Sequence, residues 1–204
     1  MVRIPGRPSA SLCPVAGSAP ALTDPSLGIW GVLRTGPPSA VVPDTHVRLL
    51  ATSLGGLVAV GSEFPDASTL MVRLQAHATE AQCLAAAIRR LPPTADMIAW
   101  FDGVVPAVDW PAAVTELSSH LGARDAALFG APVTDAVKQV QGGRIRRGVV
   151  RDGLCVPLPP ILIRATAARD GLLEHLDRGE DPIWALGASE LTVRVVPMRT
   201  PAKL

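Results

Sequence analysis

Short apolar runs alternate with longer amphipathic stretches along most of the chain. The runs of strand character are Gly28–Leu33, Leu57–Gly61, Leu70–Leu74, Met97–Phe101, Ala126–Val133 and Leu191–Val196. The stretches of helical character are Asp44–Ser53, Glu80–Leu91, Trp110–Leu121 and Ala165–Leu176. Strands that alternate with helices are typical of a doubly wound, mostly parallel sheet. We therefore predict an α/β fold in which residues 1–204 form one domain and residues 1–25 are an irregular leader.

The first of these runs has a second interpretation, as an apolar segment between turns. The helix Glu80–Leu91 has the clearest limits, because it ends in Arg89 and Arg90 and is followed by Pro92. A basic pair suits the C-terminal end of a helix, and proline stops the helix.

A two-stranded hairpin is predicted in the second half of the chain. The Gly142-Gly143 pair indicates a tight turn between the strands Ala136–Val140 and Arg144–Val150. The hairpin carries a basic run, which we interpret as a solvated or subunit-facing edge rather than as a site. The run consists of Arg144, Arg146 and Arg147.

Composition narrows the range of partners. The formal net charge of +1 gives no electrostatic case for nucleic acid or for a membrane surface. No apolar run approaches the roughly 20 residues that span a bilayer. Hydrophobic residues make up 48% of the chain and aromatic residues only 3%, so we expect a core of many small aliphatic contacts.

The thiols and imidazoles are sparse and far apart. Cys13, Cys83 and Cys155 form no CxxC pair, and the four histidines are scattered, which disfavours a structural zinc site. Three isolated thiols fit a reducing cytoplasm. Pro5 and Pro8 interrupt the N-terminus and no apolar segment follows, so a signal peptide is also disfavoured.

The segment Ala131–Val140 combines the end of a buried strand with a polar elbow. It places Asp135 and Lys138 three residues apart, directly after apolar residues. Open α/β sheets bind ligands beyond the carboxyl ends of their strands. This segment is therefore the strongest local indication of a site.

Pro132, Val133, Asp135 and Lys138 match the pattern Pro-Val-x-Asp-Thr-x-Lys, in which the Thr is Ala136 here. The part of the chain from about residue 95 to the end, which includes this elbow, resembles the 2-C-methyl-D-erythritol 4-phosphate cytidylyltransferase family. That family couples CTP to methylerythritol phosphate in isoprenoid-precursor synthesis. The resemblance implies that Asp135 and Lys138 bind the sugar phosphate, and that the hairpin, at about residues 137–151, is an arm that forms a homodimer.

The resemblance also implies two catalytic cations, Arg151 and Lys203, that hold the sugar phosphate. Gly148–Leu154 resembles the pattern Thr-Val-Asp-Arg-x-x-Leu, and Arg199–Leu204 resembles Arg-x-Asn-x-Lys-Ile. Between them, Pro159–Arg164 resembles Thr-Pro-Gln-x-Phe-Arg without its Thr and Gln.

A metal ligand is implied at the end of the strand Met97–Phe101. Asp102 follows that strand and matches the Asp of the pattern His-Asp-Ala-Ala-Arg-Pro, which in the family binds the Mg²⁺ that bridges the CTP phosphates. The His and the Arg of the pattern are Phe101 and Val105 here. Alternatively, Asp102 accepts hydrogen bonds from backbone N–H groups of the following turn.

Two segments correspond to the nucleotide site of the family. Cys13–Ser18 resembles the phosphate-binding loop, so that Ala16, Gly17 and Ser18 would hold the triphosphate, but the Arg and Lys of that loop are absent. The alternative is an irregular leader without a binding role.

The second segment is Ala76–Leu84, which resembles Gly-Gly-x-x-Arg-x-x-Ser-Val. Cys83 replaces the Ser that helps to seat the cytidine, and Glu80 replaces the Arg. The interpretation that we favour is that Thr79 is the N-cap of a helix with Glu80 in its first turn.

The substitutions fall on the polar positions that the chemistry of the family requires. We therefore expect a divergent cytidylyltransferase-like protein of the cytoplasm with weak or lost catalysis. The alternative is an active nucleotidyltransferase that uses CTP, a sugar phosphate and Mg²⁺ and releases pyrophosphate.

Overall fold

The computed structural model describes residues 28–34, 54–61, 70–74, 78–101 and 110–198. The strands are β1 Ile29–Arg34, β2 Gly56–Gly61, β3 Leu70–Arg73, β4 Met97–Phe101, β5 Ala126–Pro132, β6 Val137–Gln141, β7 Arg144–Val149, β8 Cys155–Arg164 and β9 Val193–Pro197. The helices are α1 Glu80–Arg90, α2 Trp110–Leu121, α3, which joins α-helical Ala165–Ala167 and Leu173–Asp177 through π-helical Ala168–Leu172, and α4 Pro182–Ala188. The predicted helix Asp44–Ser53 lies outside the described residues.

A seven-stranded sheet in the order β3-β2-β1-β4-β8-β5-β9 forms the centre of the fold. All of its strands run in one direction except β8, which is antiparallel to both of its neighbours, β4 and β5. The doubly wound, mostly parallel sheet predicted from the sequence is confirmed.

Helices cover both faces of this sheet. Apolar side chains of α1, α3 and α4 pack with one face, which includes Val58, Ile98 and Ile163. Side chains of α2 pack with the other face, which includes Leu33 and Leu162. None of the helices in the described ranges is long and apolar enough to cross a membrane.

The start of α1 confirms a local prediction. Thr79 accepts a hydrogen bond from the backbone N–H of Gln82 at 3.2 Å, and the Gln82 side chain accepts one from the Thr79 N–H at 2.9 Å. This reciprocal pair is a capping box, which satisfies two backbone donors at the helix start.

Strand β8 was not predicted. Four successive residues, from Pro160 to Ile163, are buried, so polar and apolar positions do not alternate there. Its register with β5 passes from Leu128↔Ile161 to Phe129↔Leu158, so two prolines lie outside the ladder in a bulge. Because proline lacks a backbone donor, a bulge accommodates it within a sheet.

Helix α4 was also missed. Its seven residues are too few to show an apolar period, yet its start has a local signal. Asp181 accepts a hydrogen bond from the Trp184 N–H at 2.9 Å, and Pro182 occupies the first turn. The short segment between α3 and α4 therefore ends in the residue that caps α4.

Aliphatic side chains make up most of both cores, as expected from the composition, but large rings are buried as well. On the α2 face, the rings of Phe101 and Trp110 meet edge to face at 5.0 Å between centroids. Both side chains are almost completely buried, at 0% and 1% exposure. Trp100 is buried on the opposite face, at 2% exposure, so each core contains at least one large ring.

The predicted hairpin is confirmed as β6 and β7, a separate two-stranded antiparallel sheet. Gly142 and Gly143 form its turn with φ values of 57° and 73°. Two successive positive φ values are characteristic of the type I′ turn, which glycine adopts without steric cost.

The Asp125 carboxylate connects two segments at the amino ends of the strands, opposite the elbow. Asp125 Oδ2 accepts hydrogen bonds from the Thr192 hydroxyl at 2.6 Å and from the Thr192 N–H at 2.8 Å. These bonds hold the pKa of Asp125 below its ordinary value. They connect the segments that lead into β5 and β9, at the amino ends of both strands.

We predict that Thr192→Val lowers the free energy of unfolding by about 1 kcal/mol at pH 7, because it removes a hydrogen bond to a partly exposed carboxylate. A depressed pKa stabilises the fold above the unfolded-state value of about 3.9, and the gain is lost as the pH falls through the folded-state pKa. The difference between wild type and variant should therefore shrink below about pH 4. Urea unfolding between pH 3 and 7 measures it, with exposed Thr166→Val as the control. A difference that is constant over this range would contradict the assignment.

Candidate functional site

The carboxyl edge of the sheet is where the parallel strands β1, β4, β5 and β9 end and where antiparallel β8 begins. Strands β2 and β3 follow β1 on one side of it, whereas β4, the next strand along the chain, pairs with the other side of β1. Such a reversal of strand order opens the crevice in which open α/β sheets bind ligands. This edge is therefore the candidate functional site.

Several predicted site residues lie outside the described residues. They are Ala16, Gly17, Ser18, Asp102 and Lys203. In the sequence, Asp102 directly follows β4. Their assignments to the triphosphate, to Mg²⁺ and to the sugar phosphate stay predictions.

The elbow between β5 and β6 is held by Arg151. The Arg151 guanidinium donates a hydrogen bond to the backbone carbonyl of Thr134, the residue before Asp135. The Val133 N–H donates to the Leu154 carbonyl at 3.4 Å, and the Leu154 N–H donates to the Arg151 carbonyl at 2.8 Å. The structure thus brings together two segments that the sequence had indicated separately.

Lys138 occupies a different element from Asp135. Lys138 is the second residue of β6 and lies opposite Gly148 of β7, so it belongs to the hairpin. Both Lys138 and Asp135 are exposed to solvent. The elbow therefore offers a carboxylate and two cations, counting Arg151, on an open surface.

Cys83 lies on the inner face of α1 and is 7% exposed. Its side chain is part of the core cluster on the α1 face of the sheet. The predicted contact of Cys83 with a nucleotide stays a prediction, and what the structure shows is a packing role.

A small cavity of about 70 Å³ opens at the same edge, between the start of α1, the end of β4, the first half of β8 and α4. Its lining residues are Glu80, Trp100, Pro157, Pro159, Ile161 and Ile183. The sequence did not predict this cavity, because one wall is the undetected strand β8. The proline bulge forms part of that wall, and bulges commonly redirect side chains near functional sites.

A second, apolar cavity of about 30 Å³ adjoins the first and shares Pro157 and Ile183 with it. Cys155 is among its lining residues, and burial raises the pKa of the Cys155 thiol. A thiol with a raised pKa is protonated at neutral pH, so it is a poor nucleophile.

A cluster of metal ligands is not formed by the described residues alone. Among those residues, no group of three or more His, Cys, Asp or Glu side chains could hold a metal ion. Mg²⁺ is commonly held by one or two carboxylates together with substrate phosphates. A site that consists of Asp102 and nucleotide phosphates fits that chemistry.

Arg164 matches the Arg of the pattern Thr-Pro-Gln-x-Phe-Arg, but it lies away from the carboxyl edge of the sheet. Its Nε donates to the Arg124 carbonyl at 2.9 Å and its Nη2 donates to the Gly122 carbonyl at 2.7 Å. Arg164 pairs with Met97 at the start of β4, so it stabilises the amino edge of the sheet.

A cluster of charged side chains lies at the C-terminal end of α3. His175 Nδ1 lies 2.6 Å from Glu180 Oε2, and Arg178 contacts both Glu174 at 2.7 Å and Glu180 at 2.9 Å. The hydrogen bond with His175, followed by that with Arg178, lowers the pKa of Glu180. This cluster ties together neighbouring turns at the end of one helix, so we assign it a structural role.

Comparison with solved structures identifies the fold. The 4-diphosphocytidyl-2C-methyl-D-erythritol synthase of Anaerococcus prevotii matches with a TM-score of 0.64 and 14% identity, over 87% of this chain and 89% of that one. The chain has the fold of the methylerythritol phosphate cytidylyltransferases. The 2-C-methyl-D-erythritol 4-phosphate cytidylyltransferase of Thermus thermophilus gives 0.64 and 17% identity, over 82% and 88%. The Francisella tularensis enzyme of that name gives 0.61 and 14%, over 82% and 89%.

No protein-family model matches the chain, and no curated protein matches its sequence. The likeness to the solved structures shows the fold, and a fold alone does not determine a reaction. The function must therefore be inferred from the side chains at the carboxyl edge.

We predict that Arg151→Ala loosens the elbow without unfolding the domain. Loss of one exposed hydrogen bond is worth about 1 kcal/mol, so the amide of Leu154 should exchange with solvent about fivefold faster. Hydrogen exchange followed by NMR measures this rate. Arg146→Ala on the hairpin is the control, and it should leave the Leu154 rate unchanged. Equal exchange rates in wild type and Arg151→Ala would show that Arg151 does not hold the elbow.

Proposed function

We propose that this protein is a divergent cytidylyltransferase-like protein that keeps the scaffold and a ligand-binding carboxyl edge, with weak or lost transfer activity. The observation that supports this most directly is Glu80, which lines the cavity at the carboxyl edge. The cytidylyltransferase family that the chain resembles has an arginine at that position. A carboxylate there repels the phosphates of a nucleotide that an arginine would attract.

The proposed roles of the remaining residues follow the resemblance. Ala16, Gly17 and Ser18 would contact the triphosphate, and Asp135 and Lys138 would bind the sugar phosphate. Asp102 would hold Mg²⁺, which when bound supplies positive charge to the phosphates. We also propose that the protein acts in the cytoplasm.

A second candidate function is the transfer reaction itself. It is favoured by the hydrogen bond that fixes Arg151 beside the elbow. In this reaction, an oxygen of the sugar phosphate would attack the α-phosphorus of CTP and displace pyrophosphate. Arg151 and Lys203 would position the attacking phosphate and neutralise its charge, since such reactions depend mainly on positioning and electrostatics.

The two functions predict different rates of pyrophosphate release. With CTP, methylerythritol phosphate and Mg²⁺, we expect release at the level of a protein-free control, because the phosphate-binding loop lacks two cations and each such contact is commonly worth about 10²–10³ in rate. A coupled pyrophosphate assay of wild type and Asp102→Ala measures this. Turnover in wild type that Asp102→Ala abolishes would establish the active enzyme and exclude the proposal of lost activity.

We further propose that the β6–β7 hairpin is the arm of a homodimer. Val140 and Ile145 lie directly opposite each other on it and are 59% and 61% exposed. An isolated two-stranded hairpin is marginally stable in water. Burial of this apolar pair against a second copy would stabilise the hairpin and remove its apolar surface from solvent.

We expect the wild-type protein to be dimeric and the double variant Val140→Lys, Ile145→Lys to have a dimer dissociation constant raised at least tenfold, about 1.4 kcal/mol. Sedimentation equilibrium at micromolar concentrations measures the constant. Leu70→Lys is the matched control, because Leu70 is an exposed apolar residue on the far edge strand β3. A monomeric wild type, or a double variant as dimeric as wild type, would refute the arm.

A further inference from the structure

The β6–β7 hairpin has a charge that the rest of the chain does not share. Its residues 137–149 include four cations and no carboxylate, and the cations are Lys138, Arg144, Arg146 and Arg147. The formal net charge of the whole chain is only +1, so the remainder of the chain has a net charge of −3. The low overall charge is therefore unevenly distributed, and the hairpin is strongly basic.

The three arginines of β7 are exposed and lack carboxylate partners. None of the ion pairs between described residues includes them. Arg147 Nε donates a hydrogen bond to Gln139 Oε1 at 2.8 Å, which orients the guanidinium and leaves its Nη donors available. Because a guanidinium binds a carboxylate through two parallel hydrogen bonds, these side chains are suited to an anionic partner.

The two faces of the hairpin differ in chemistry. Arg147 and Arg144 each lie opposite a glutamine of β6, and the pair Val140 and Ile145 lies between them along the hairpin. Successive side chains of a strand point to opposite faces, so the two arginines share one face and the apolar pair lies on the other. A dimer contact through Val140 and Ile145 therefore leaves the arginine face open to a different partner.

Strand β7 also has an open backbone edge. Among the described strands it pairs only with β6, so N–H and C=O groups on its other side are available to a further strand. A two-stranded sheet is marginally stable, and a third strand stabilises it. A second copy of β7 would place arginines against arginines, and like charges directly opposite each other destabilise a strand pair. An acidic strand fits this edge best.

We propose that β7 binds an extended acidic segment of a partner protein as a third strand of the hairpin sheet. Main-chain hydrogen bonds supply affinity in this mode of binding, and alternate side chains supply specificity. Side chains two residues apart on an extended segment share a face and lie about 7 Å apart, so alternate carboxylates face Arg144 and Arg147.

Duplex nucleic acid fits the hairpin less well. The net charge of −3 on the remainder of the chain repels phosphates that approach the basic face. The proposal goes beyond the proposed function, because it does not require that the carboxyl edge bind a nucleotide.

NMR titration of the isotope-labelled full chain with capped heptapeptides measures this binding. One peptide alternates glutamate and threonine, a second has the same composition with its glutamates contiguous, and a third alternates lysine and threonine. The alternating acidic peptide should bind with a dissociation constant below about 1 mM and shift the amides of β7 most strongly. The contiguous isomer should bind about fivefold more weakly, because fewer of its carboxylates face the arginines. The lysine peptide should not bind.

Three double variants test the role of the arginines. Arg144→Gln with Arg147→Gln should weaken binding of the alternating acidic peptide about fivefold, because two ion pairs are lost. Arg73→Gln with Arg194→Gln is the matched control, since these arginines are exposed on the edge strands β3 and β9, and it should leave the affinity unchanged. Arg144→Glu with Arg147→Glu should bind the lysine peptide in place of the acidic one. Cross-strand contacts between Val140 and Ile145 verify that the hairpin is folded in each variant.

Several results would overturn the proposal. Equal affinities for the two acidic peptides would show attraction by charge without an added strand. An affinity that Arg144→Gln with Arg147→Gln leaves unchanged, or shifts outside the hairpin, would place the contact elsewhere. Duplex DNA that binds more tightly than the peptide at physiological salt would identify a nucleic acid surface. Absence of peptide binding would refute the proposal outright, and β7 amides protected from exchange in the free protein would then identify a second copy as the occupant.

Discussion

The pairing of antiparallel strand β8 with both β4 and β5 holds the two halves of the sheet together. Strands β4 and β5 do not pair with each other, since both pair with β8. Leu162 and Ile163 of β8 are 0% exposed and belong to the cores on opposite faces of the sheet. Both halves of the sheet and both cores are therefore connected through this one strand.

The candidate site depends on the same strand. Because Cys155 at its start pairs with Pro132 at the end of β5, the preceding segment with Arg151 lies beside the elbow. The proline bulge of β8 supplies a wall of the cavity that Glu80 and Trp100 complete. At the opposite ends of the strands, Asp125 and Thr192 hold the amino ends together, so the candidate site and these stabilising bonds are separated along the strands.

The parts of the fold that the sequence predicted carry local signals. Thr79 with Gln82, and the Gly142-Gly143 turn, act through residues only a few positions apart. Strand β8 was missed because it is buried on both faces, contains prolines and is defined by partners far along the chain. Asp135 and Arg151 were each predicted, but their proximity follows from the register of β5 and β8, which composition and periodicity do not encode.

If ligands bind at the carboxyl edge of the sheet, nucleotide should change the environment of residues there and leave the amino ends of the strands unaffected. Amide chemical-shift mapping of the full chain with magnesium nucleotide measures this. We expect perturbed amides at Glu80, Trp100 and Ile161, with unchanged amides at Asp125 and Thr192. Shifts concentrated at Asp125 and Thr192, or no shifts at saturating nucleotide, would contradict it.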